Sequence, residues 1–450
     1  MTPLSLTIDA TQLPPLTEGD PEERACYGQL AIRHGERLLS EGIDGFSHRL
    51  QAGPRVSGYP LAEWLAWNWW RLTEESKPTQ ITPDWRFAHQ LDSVGAGYIW
   101  PNLSIFSDRA RTALIAKPSH PQGQASYRST ADETLILPTP QVSQAIAHFI
   151  EQMRERLRAS GIREDTNLDA LWQRLQQERQ DPRQSLRRRL EALLGYDPDD
   201  APEALIAALL NETQRLGEDA LLELAAAHRP QRALPGHERL RQWAKDNGYA
   251  SKATDRVSPL APDTFNTAAR TPAWHQGDQA ARAFRTRERI TAETVSNAQL
   301  AHWCAVTPRL LTDPHSAPDL AFGLQPADQP EGHLVLRSRW PTGRRFELAR
   351  LLGDWLSIGA REPLLLATAS HTYRQKFQRA FAAELLCPFA ALEAMLAGDH
   401  SEEAREEAAH QFQVSEQAVT TLLVNHGRLP ADELDAEADN STTNEWSQAA

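Results

Sequence analysis

The sequence predicts a mainly helical α+β protein with more than one domain. A chain of 450 residues is longer than one hydrophobic core usually serves, so two or three domains are expected. Helical spacing of apolar residues dominates the chain after residue 141, whereas two β-like runs, 103–117 and 125–137, lie before it. A hydrophobic content of 40% and a charged content of 24% are those of a soluble globular protein.

The N-terminal part of the chain is rich in tryptophan. Apolar spacing predicts a helix over 21–42, and Pro60 is in a suitable position to open the next helix. Trp64, Trp67 and Trp70 follow at three-residue steps in that second helix. We expect such a stripe to pack into a core rather than to form a ligand platform.

Changes in periodicity divide the chain into five segments. Helical spacing is almost continuous over 141–228, whereas several prolines interrupt a polar sequence over 229–277 and predict a linker or strap. Beyond Pro430, an acidic sequence poor in apolar residues is expected to be disordered. The predicted segments are a Trp-rich α+β domain (1–140), a helical region (141–228), a Pro-rich linker (229–277), a C-terminal domain (278–430) and an acidic tail (431–450).

Composition argues against several classes of protein. The net charge of −13 disfavours general binding to nucleic acid, which requires a cationic surface. Cys26, Cys304 and Cys387 are widely spaced, so neither a disulfide framework nor a cysteine metal site is expected. The first residues lack the pattern of a signal peptide, and no apolar run is long enough to cross a bilayer. We therefore expect a cytoplasmic protein without a membrane partner.

Three sequence segments follow one another in the C-terminal domain. A strand is predicted over 332–337 and overlaps HLVLRS (333–338), and RRFELARLLGDWL (344–356) follows as a helix with Thr342 as its predicted N-cap. A second helix ends in QRAFAAELLCP (378–388). The expected packing residues of the two helices are Phe346, Ala349, Gly353, Leu356, Phe381 and Leu385.

These segments resemble the ImmA/IrrE family of zinc metallopeptidase-like proteins. Members of that family typically read as a short strand, a helix of the form RRFxxAHELGHxL, and a later helix ending in FAAELLMP. FQVSEQAV (412–419) follows at a matching distance, so the resemblance extends from Gln279 to Gly427. It implies a zincin-like fold for the C-terminal domain.

Carried over position by position, the resemblance implies that the catalytic residues are replaced. Arg350 stands in the place of the first histidine ligand, Leu351 in that of the general-base glutamate, and Asp354 in that of the second histidine. Gln375 occupies the place of the third, carboxylate ligand. Since zinc hydrolysis needs three protein ligands and an arginine repels the metal, we expect a pseudo-enzyme without metal or cofactor. Arg350 and Asp354 would then form an i,i+4 ion pair.

The predicted function is that of a non-catalytic interaction protein. Its groove is expected to hold an acidic segment of another protein, a regulator or a defence-system subunit, because arginines line it: Arg344, Arg345, Arg350, Arg374 and Arg379. The resemblance further implies a bacterial regulator or a component of a phage-defence or mobile-element system.

Two alternatives stay open. The first is a metallopeptidase with rearranged ligands, for which Asp354, His371 and Glu384 are the candidates. The second is a DNA-binding regulator that uses the helix-turn-helix rhythm of residues 412–427. That segment contains Gln417 but no arginine, so its composition argues against base reading.

Overall fold

The chain divides into two compact units, Met1–Leu210 and Asn211–Ala450. The computed structural model describes residues 5–119, 125–162, 165–228, 233–265, 271–290, 294–313, 320–325, 332–430 and 433. Within them the protein is α+β and mainly helical, as predicted. No helix in these ranges has the length and apolar character of a membrane span. Apart from Glu433, the predicted tail over 431–450 lies outside the described residues.

In its described residues the N-terminal unit contains three antiparallel sheets, with strand orders β1-β2-β3 (with β6 also on β2), β10-β8-β7 and β5-β4-β9. The strands are β1 (Leu6–Gln12), β2 (Tyr27–His34), β3 (Arg37–Leu38), β4 (Gly42–Asp44), β5 (Leu50–Gln51), β6 (Arg55–Ser57), β7 (Leu103–Ser107), β8 (Arg111–Ala116), β9 (Tyr127–Ser129) and β10 (Glu133–Pro138). The helices are α1 (Pro21–Ala25), α2 (Gly58–Trp67), α3 (Trp69–Glu74), α4 (Pro83–His89), α5 (Thr139–Ala159), α6 (Asn167–Gln180) and α7 (Pro182–Leu193). A further helix, α8 (Glu203–Leu216), begins here and ends in the next unit.

The helix predicted over 21–42 is wrong. Only α1 forms there, and β2 follows it because its backbone pairs with the whole of β1, with Ile8 opposite Ile32. The tryptophan stripe is also divided, since α2 ends at Trp67. Trp70 is buried as expected, but Trp67 is 39% exposed.

The predicted boundary at residue 140 does not separate two domains. Phe149 of α5 and Leu168 of α6 belong to the same apolar core as Leu30 of β2. A helix that buries one apolar face against a sheet becomes part of that sheet's domain. Residues 141–210 therefore complete the N-terminal unit.

The C-terminal unit is a helical assembly around one antiparallel sheet of order β11-β13-β12-β14. Its strands are β11 (Tyr249–Ser251), β12 (Ala321–Leu324), β13 (Gly332–Val335) and β14 (Leu364–Ala367). Its helices are α9 (Glu218–Ala226), α10 (His237–Asn247), α11 (Ala273–Arg287), α12 (Asn297–Trp303), α13 (Arg309–Thr312), α14 (Pro341–Ile358), α15 (Tyr373–Leu386), α16 (Phe389–Leu396), α17 (Glu402–Phe412) and α18 (Glu416–Asn425). The segment predicted as a linker, 229–277, supplies α10 and the edge strand β11, so it is part of this fold.

The helix α14 lies at the centre of this unit and contacts β14, α12, α13 and α15. Pro341 opens it and Trp340 precedes it without a side-chain cap, so the predicted N-cap at Thr342 is wrong. A methyl group at Gly353 would lie 2.6 Å from Cδ1 of Phe381, which shows how closely α14 and α15 approach. Both polar and apolar sides of α14 are buried as a result.

Candidate functional site

The turn between β14 and α15 brings the three ligand positions of the resemblance into one buried network. Gln375, at the start of α15, faces Arg350 of α14, and the Arg350 Nη2 donates to the Gln375 Oε1 at 2.6 Å. One turn further along α14, Asp354 accepts two hydrogen bonds from Arg374. Positions that are far apart in the sequence therefore lie side by side.

Gln375 organises the loop between β14 and α15. Its Oε1 also accepts from the Thr368 N at 2.8 Å, and its Nε2 donates to the Leu366 O at 3.1 Å. The Thr372 hydroxyl caps α15 by accepting from the Gln375 N. Because this side chain is fully buried and its oxygen and nitrogen are both bonded, it acts as a bridge between strand and helix.

Asp354 is held by Arg374 rather than by Arg350. The Arg374 Nε lies 2.8 Å from the Asp354 Oδ1 and its Nη2 lies 2.7 Å from Oδ2, while the Leu366 N donates to Oδ2 at 3.2 Å. Burial by itself lowers the pKa of Arg374, but the Asp354 carboxylate outweighs it and the pKa lies above its usual value. The predicted ion pair between Arg350 and Asp354 is therefore wrong.

These residues do not fit a zinc ion at the positions that the resemblance implies. Arg350 offers a cation, Gln375 offers an oxygen already bonded to that cation, and both oxygens of Asp354 are engaged by Arg374. The general-base position fits no better, because Leu351 is buried in the apolar core beside Trp303.

Arg350 and Arg379 form a pair of like charges, of which Arg350 is buried and Arg379 half-buried. The Arg350 Nη2 donates to the Thr368 O at 2.6 Å, and the Arg379 Nη1 approaches the same oxygen at 3.5 Å. The Arg379 Nη2 donates to the Ser370 O at 2.8 Å. Burial lowers the pKa of Arg350 to about 9, with the Arg379 charge acting in the same direction, and burial lowers the pKa of Arg379 to about 10. We call Arg350, Arg379 and these two carbonyls the arginine site.

Neither guanidinium of the arginine site has an acidic partner in the described part of the chain. No carboxylate there lies within ion-pair distance of Arg350 or Arg379, and the Arg350 Nε is buried without a hydrogen-bond partner. Arg379 is partly exposed, and exposed His371 lies on the loop that precedes it. The arginine site is thus cationic, largely desolvated and open on the Arg379 side.

The other two arginines of the predicted groove are structural. Arg344 is 3% exposed and donates to the Leu310 O and the Ser338 O, while Arg345 is 2% exposed and donates to the Val295 O. Arg374 is committed to Asp354 and Glu362. The predicted groove is corrected accordingly, because of its five arginines only Arg350 and Arg379 share one acceptor, the Thr368 O.

Comparisons of this chain with protein-family models, with curated proteins and with solved structures return no match. The geometry of the side chains is therefore the basis for any statement about function.

The residues considered for a rearranged metallopeptidase have different surroundings. Asp354 is bonded to Arg374, whereas Glu384 accepts from the Arg282 Nε at 2.8 Å near the other end of α15. His371 is exposed on the loop before α15. Asp354, His371 and Glu384 therefore do not make one ligand set in this structure.

The segment considered for DNA reading is packed into the C-terminal unit. Val419 and Leu422 of α18 belong to its main apolar core, and Thr420 is fully buried. The Thr421 hydroxyl donates to the Gln417 O of its own helix. This helix therefore offers few side chains to base edges, in keeping with its lack of arginine.

The sequence interpretation missed the strand on which the site depends. The β14 strand lies in a four-residue apolar run, LLLA, between the two recognised helices, and its carbonyl and amide groups bond to Gln375, Asp354 and, through Thr368, Arg350. Short apolar runs of this kind are compatible with a buried strand but do not distinguish it from a helix segment.

Proposed function

We propose that this chain is a non-catalytic interaction protein whose C-terminal unit is ImmA/IrrE-like and whose arginine site binds an acidic group of another protein. The observation that supports the proposal best is the pairing of Arg350 and Arg379 on the Thr368 O, with no carboxylate of the described chain within ion-pair distance of either. The partner chemistry we infer is a carboxylate of an acidic segment.

Desolvation gives the physical reason for this choice of ligand. A buried cation without an acidic partner costs free energy, and two adjacent cations cost more. A carboxylate that reached Arg379 and Arg350 would offset that cost and would form short charge-assisted hydrogen bonds with their planar guanidinium groups. The same carboxylate would gain less from an exposed arginine that water already solvates.

The absence of peptidase chemistry is also part of the proposal. It is supported by the engagement of Asp354 with Arg374 and of Gln375 with Arg350, because a zinc ion would have to displace both interactions. The resemblance implies a bacterial cytoplasmic setting, beside a regulator or within a phage-defence or mobile-element system. Identification of the proteins that co-purify with the intact chain tests that setting.

A binding experiment tests the arginine site directly. Fluorescence anisotropy would measure the binding of a labelled hexaglutamate peptide to the full chain, with hexaglutamine as the uncharged comparison. We expect Arg379→Gln to weaken binding by about tenfold or more, because a hydrogen bond to a charged group contributes roughly 1.5–3 kcal/mol. Arg239→Gln is the matched control, since Arg239 is an exposed arginine of the same unit.

Two results would count against the proposal. Equal binding of the acidic peptide by the parent and by Arg379→Gln would show that the arginine site does not bind the peptide. Chelator-sensitive hydrolysis of a fluorogenic peptide that disappears in Asp354→Asn would favour the metallopeptidase alternative instead.

A further inference from the structure

Three side chains with metal-binding chemistry meet at a second place in the C-terminal unit. Asp278 of α11, Glu384 of α15 and His426, which follows α18, each place one ligand atom within 4.8 Å of the other two. The Asp278 Oδ2 and the His426 Nε2 are 3.0 Å apart. None of the three occupies a position that the resemblance assigns to the family's metal.

Close packing of α11 on α15 brings the two carboxylates together. A methyl group at Gly277 would lie 2.7 Å from both the Ala380 Cβ and the Phe377 O, so only glycine permits this approach. Asp278 follows Gly277 on α11, and Glu384 lies one turn beyond Ala380 on α15. The two acidic side chains are therefore held near each other by the backbones.

Aromatic contacts hold the imidazole in place. The His426 ring stacks on Phe389, with ring centroids 3.7 Å apart and planes 10° apart, and Trp274 contacts it edge-on at 5.6 Å. The stacked ring has little freedom to turn away from Asp278.

The Asp278 carboxylate and the His426 Nε2 have no hydrogen-bond partner among the described residues. Asp278 is only 4% exposed, yet no hydrogen bond reaches its carboxylate there, and the nearest guanidinium, that of Arg282, is 3.9 Å away. The His426 Nε2 is buried without a hydrogen-bond partner, although the Asp278 Oδ2 lies 3.0 Å from it. A buried carboxylate of this kind is costly unless a cation compensates it.

We propose that Asp278, Glu384 and His426 bind one zinc ion, which links α11, α15 and the end of α18. One imidazole nitrogen and two carboxylate oxygens form a ligand set that zinc accepts in tetrahedral geometry with a water as the fourth ligand. Calcium and magnesium prefer a larger shell made of oxygen atoms.

Neighbouring groups already orient the second carboxylate. The Glu384 Oε1 accepts from the Arg282 Nε at 2.8 Å and its Oε2 accepts from the Phe389 N at 2.9 Å. Such hydrogen bonds fix ligands in metal sites and leave further lone pairs on each carboxylate oxygen. Arg282 pairs with Glu384 at 2.8 Å but lies 3.9 Å from Asp278, so Asp278 is the less compensated of the two carboxyl groups.

The role we infer is to stabilise the folded unit, because the ligands come from helices that lie far apart in the sequence. Metal binding to a site that exists only in the folded state adds to the free energy of unfolding. This inference is independent of the arginine site, since the two share no residue. A positive result for one of the two sites therefore leaves the proposal for the other site undecided.

The test uses the intact, chelator-treated chain with zinc, magnesium or calcium chloride at neutral pH. Calorimetric titration should give one zinc ion per chain. Thermal unfolding should shift upward by about 5–10 °C at a zinc concentration near one hundred times Kd. Magnesium and calcium should produce little shift. An equal response to magnesium or calcium, or no zinc binding by folded protein, would overturn the proposal.

Two variants locate the ion. Asp278→Asn and His426→Gln should each weaken zinc binding by about 100-fold or more, since loss of even a supporting residue costs about 10–100-fold. Asp278→Asn should fold normally without metal, because it removes repulsion between two buried carboxylates. His410→Gln, at an exposed histidine of α17, should bind zinc as the parent does. Unchanged zinc affinity in both site variants would place the ion elsewhere and refute the assignment.

Discussion

Asp354 and Arg374 form a bidentate salt bridge between α14 and α15. The Arg374 Nε lies 2.8 Å from the Asp354 Oδ1, and the Arg374 Nη2 lies 2.7 Å from the Asp354 Oδ2. The Asp354 side chain is fully buried, and that of Arg374 is 14% exposed. Glu362 accepts a further hydrogen bond from the Arg374 Nη1 at 3.2 Å. The pair therefore ties two central helices of the C-terminal unit together.

Removing one partner of this pair should be strongly destabilising. We expect Asp354→Asn to lower the free energy of unfolding by about 3–5 kcal/mol, because it leaves the Arg374 charge buried with only Glu362 as a partner. Urea unfolding monitored by circular dichroism measures the change. Asp132→Asn is the control for an exposed pair, since Lys117 and Asp132 are both more than half exposed, and it should cost no more than about 1 kcal/mol. Similar losses in both variants would contradict the buried-pair interpretation.

A methyl group at Gly353 should strain the contact with Phe381. The added carbon would lie 2.6 Å from the Phe381 Cδ1 and 2.9 Å from its Cγ, and that ring is fully buried. Overpacking costs about 1–3 kcal/mol and the helix preference of alanine returns about 1 kcal/mol, so we expect Gly353→Ala to be destabilising by up to roughly 2 kcal/mol. In a Phe381→Leu background the same change should cost less, and an unchanged cost there would show that the strain arises elsewhere.

An aspartate of the N-terminal unit should contribute to acid sensitivity. The Arg188 Nη1 donates to the Asp199 Oδ1 at 2.8 Å, and hydrogen bonds from Arg188 and Arg174 hold the pKa of Asp199 at about 2, below its ordinary 3.8. The folded state thus binds this proton less tightly than the unfolded state does. The stabilising contribution is present above pH 3.8 and disappears as the pH falls towards 2.

Asp199→Asn should therefore lose stability at neutral pH and show a smaller further loss between pH 4 and 2. Because the Asp199 side chain is 53% exposed, we expect an effect of only about 0.5–1 kcal/mol at pH 7. Asparagine is compatible with the positive φ of 70° at this position. The measurement is the urea midpoint of unfolding across this pH range, with the exposed Asp200→Asn as control. Parallel plots of midpoint against pH for the parent and both variants would show that Asp199 does not contribute to acid sensitivity.

The three cysteines should be unreactive in the folded protein. Cys26 and Cys387 are fully buried and Cys304 is 3% exposed. Burial raises the pKa of Cys26 and of Cys304 to about 12, so the reactive thiolate is scarce at neutral pH. We expect a disulfide reagent to label none of the three until denaturant is added. Ser47→Cys, at an exposed position, should react at once, and rapid labelling of the parent chain would contradict the described burial.

Local sequence patterns predicted the helices with clear apolar spacing and start signals. The helix expected from residue 141 is α5, and the one expected at 344–356 is α14. The expected packing residues Ala349, Phe381 and Leu385 are all buried. The prediction was wrong where short strands depend on a partner: β2 requires β1, and β11 requires β13. Pairing between distant strands leaves no local signal of its own.

The burial of charged residues in a run also differs from what their spacing on a helix predicts. The triplet Arg187–Arg189 lies between Glu178 and Glu191 in the sequence, which predicts a solvated helix face with ion pairs, and the ion pairs are present. Arg188, however, is only 5% exposed and is bonded to Glu178, Glu191 and Asp199. Spacing on a helix identifies neighbours along that helix, but it does not show what packs over them.

The sequence by itself determined that α14 and α15 form, that glycine and phenylalanine occur where the two helices meet, and that arginine, aspartate and glutamine stand at the positions singled out by the resemblance. Only the tertiary structure decided that Asp354 pairs with Arg374, that Arg350 lies beside Arg379, and that Asp278, Glu384 and His426 converge. The physical reason is that the energy of a charge pair depends on the distance between the charges and on their burial, and both are fixed only when the helices pack. Those distances are set by backbone approach at glycines such as Gly277 and Gly353, across contacts between segments far apart in the chain.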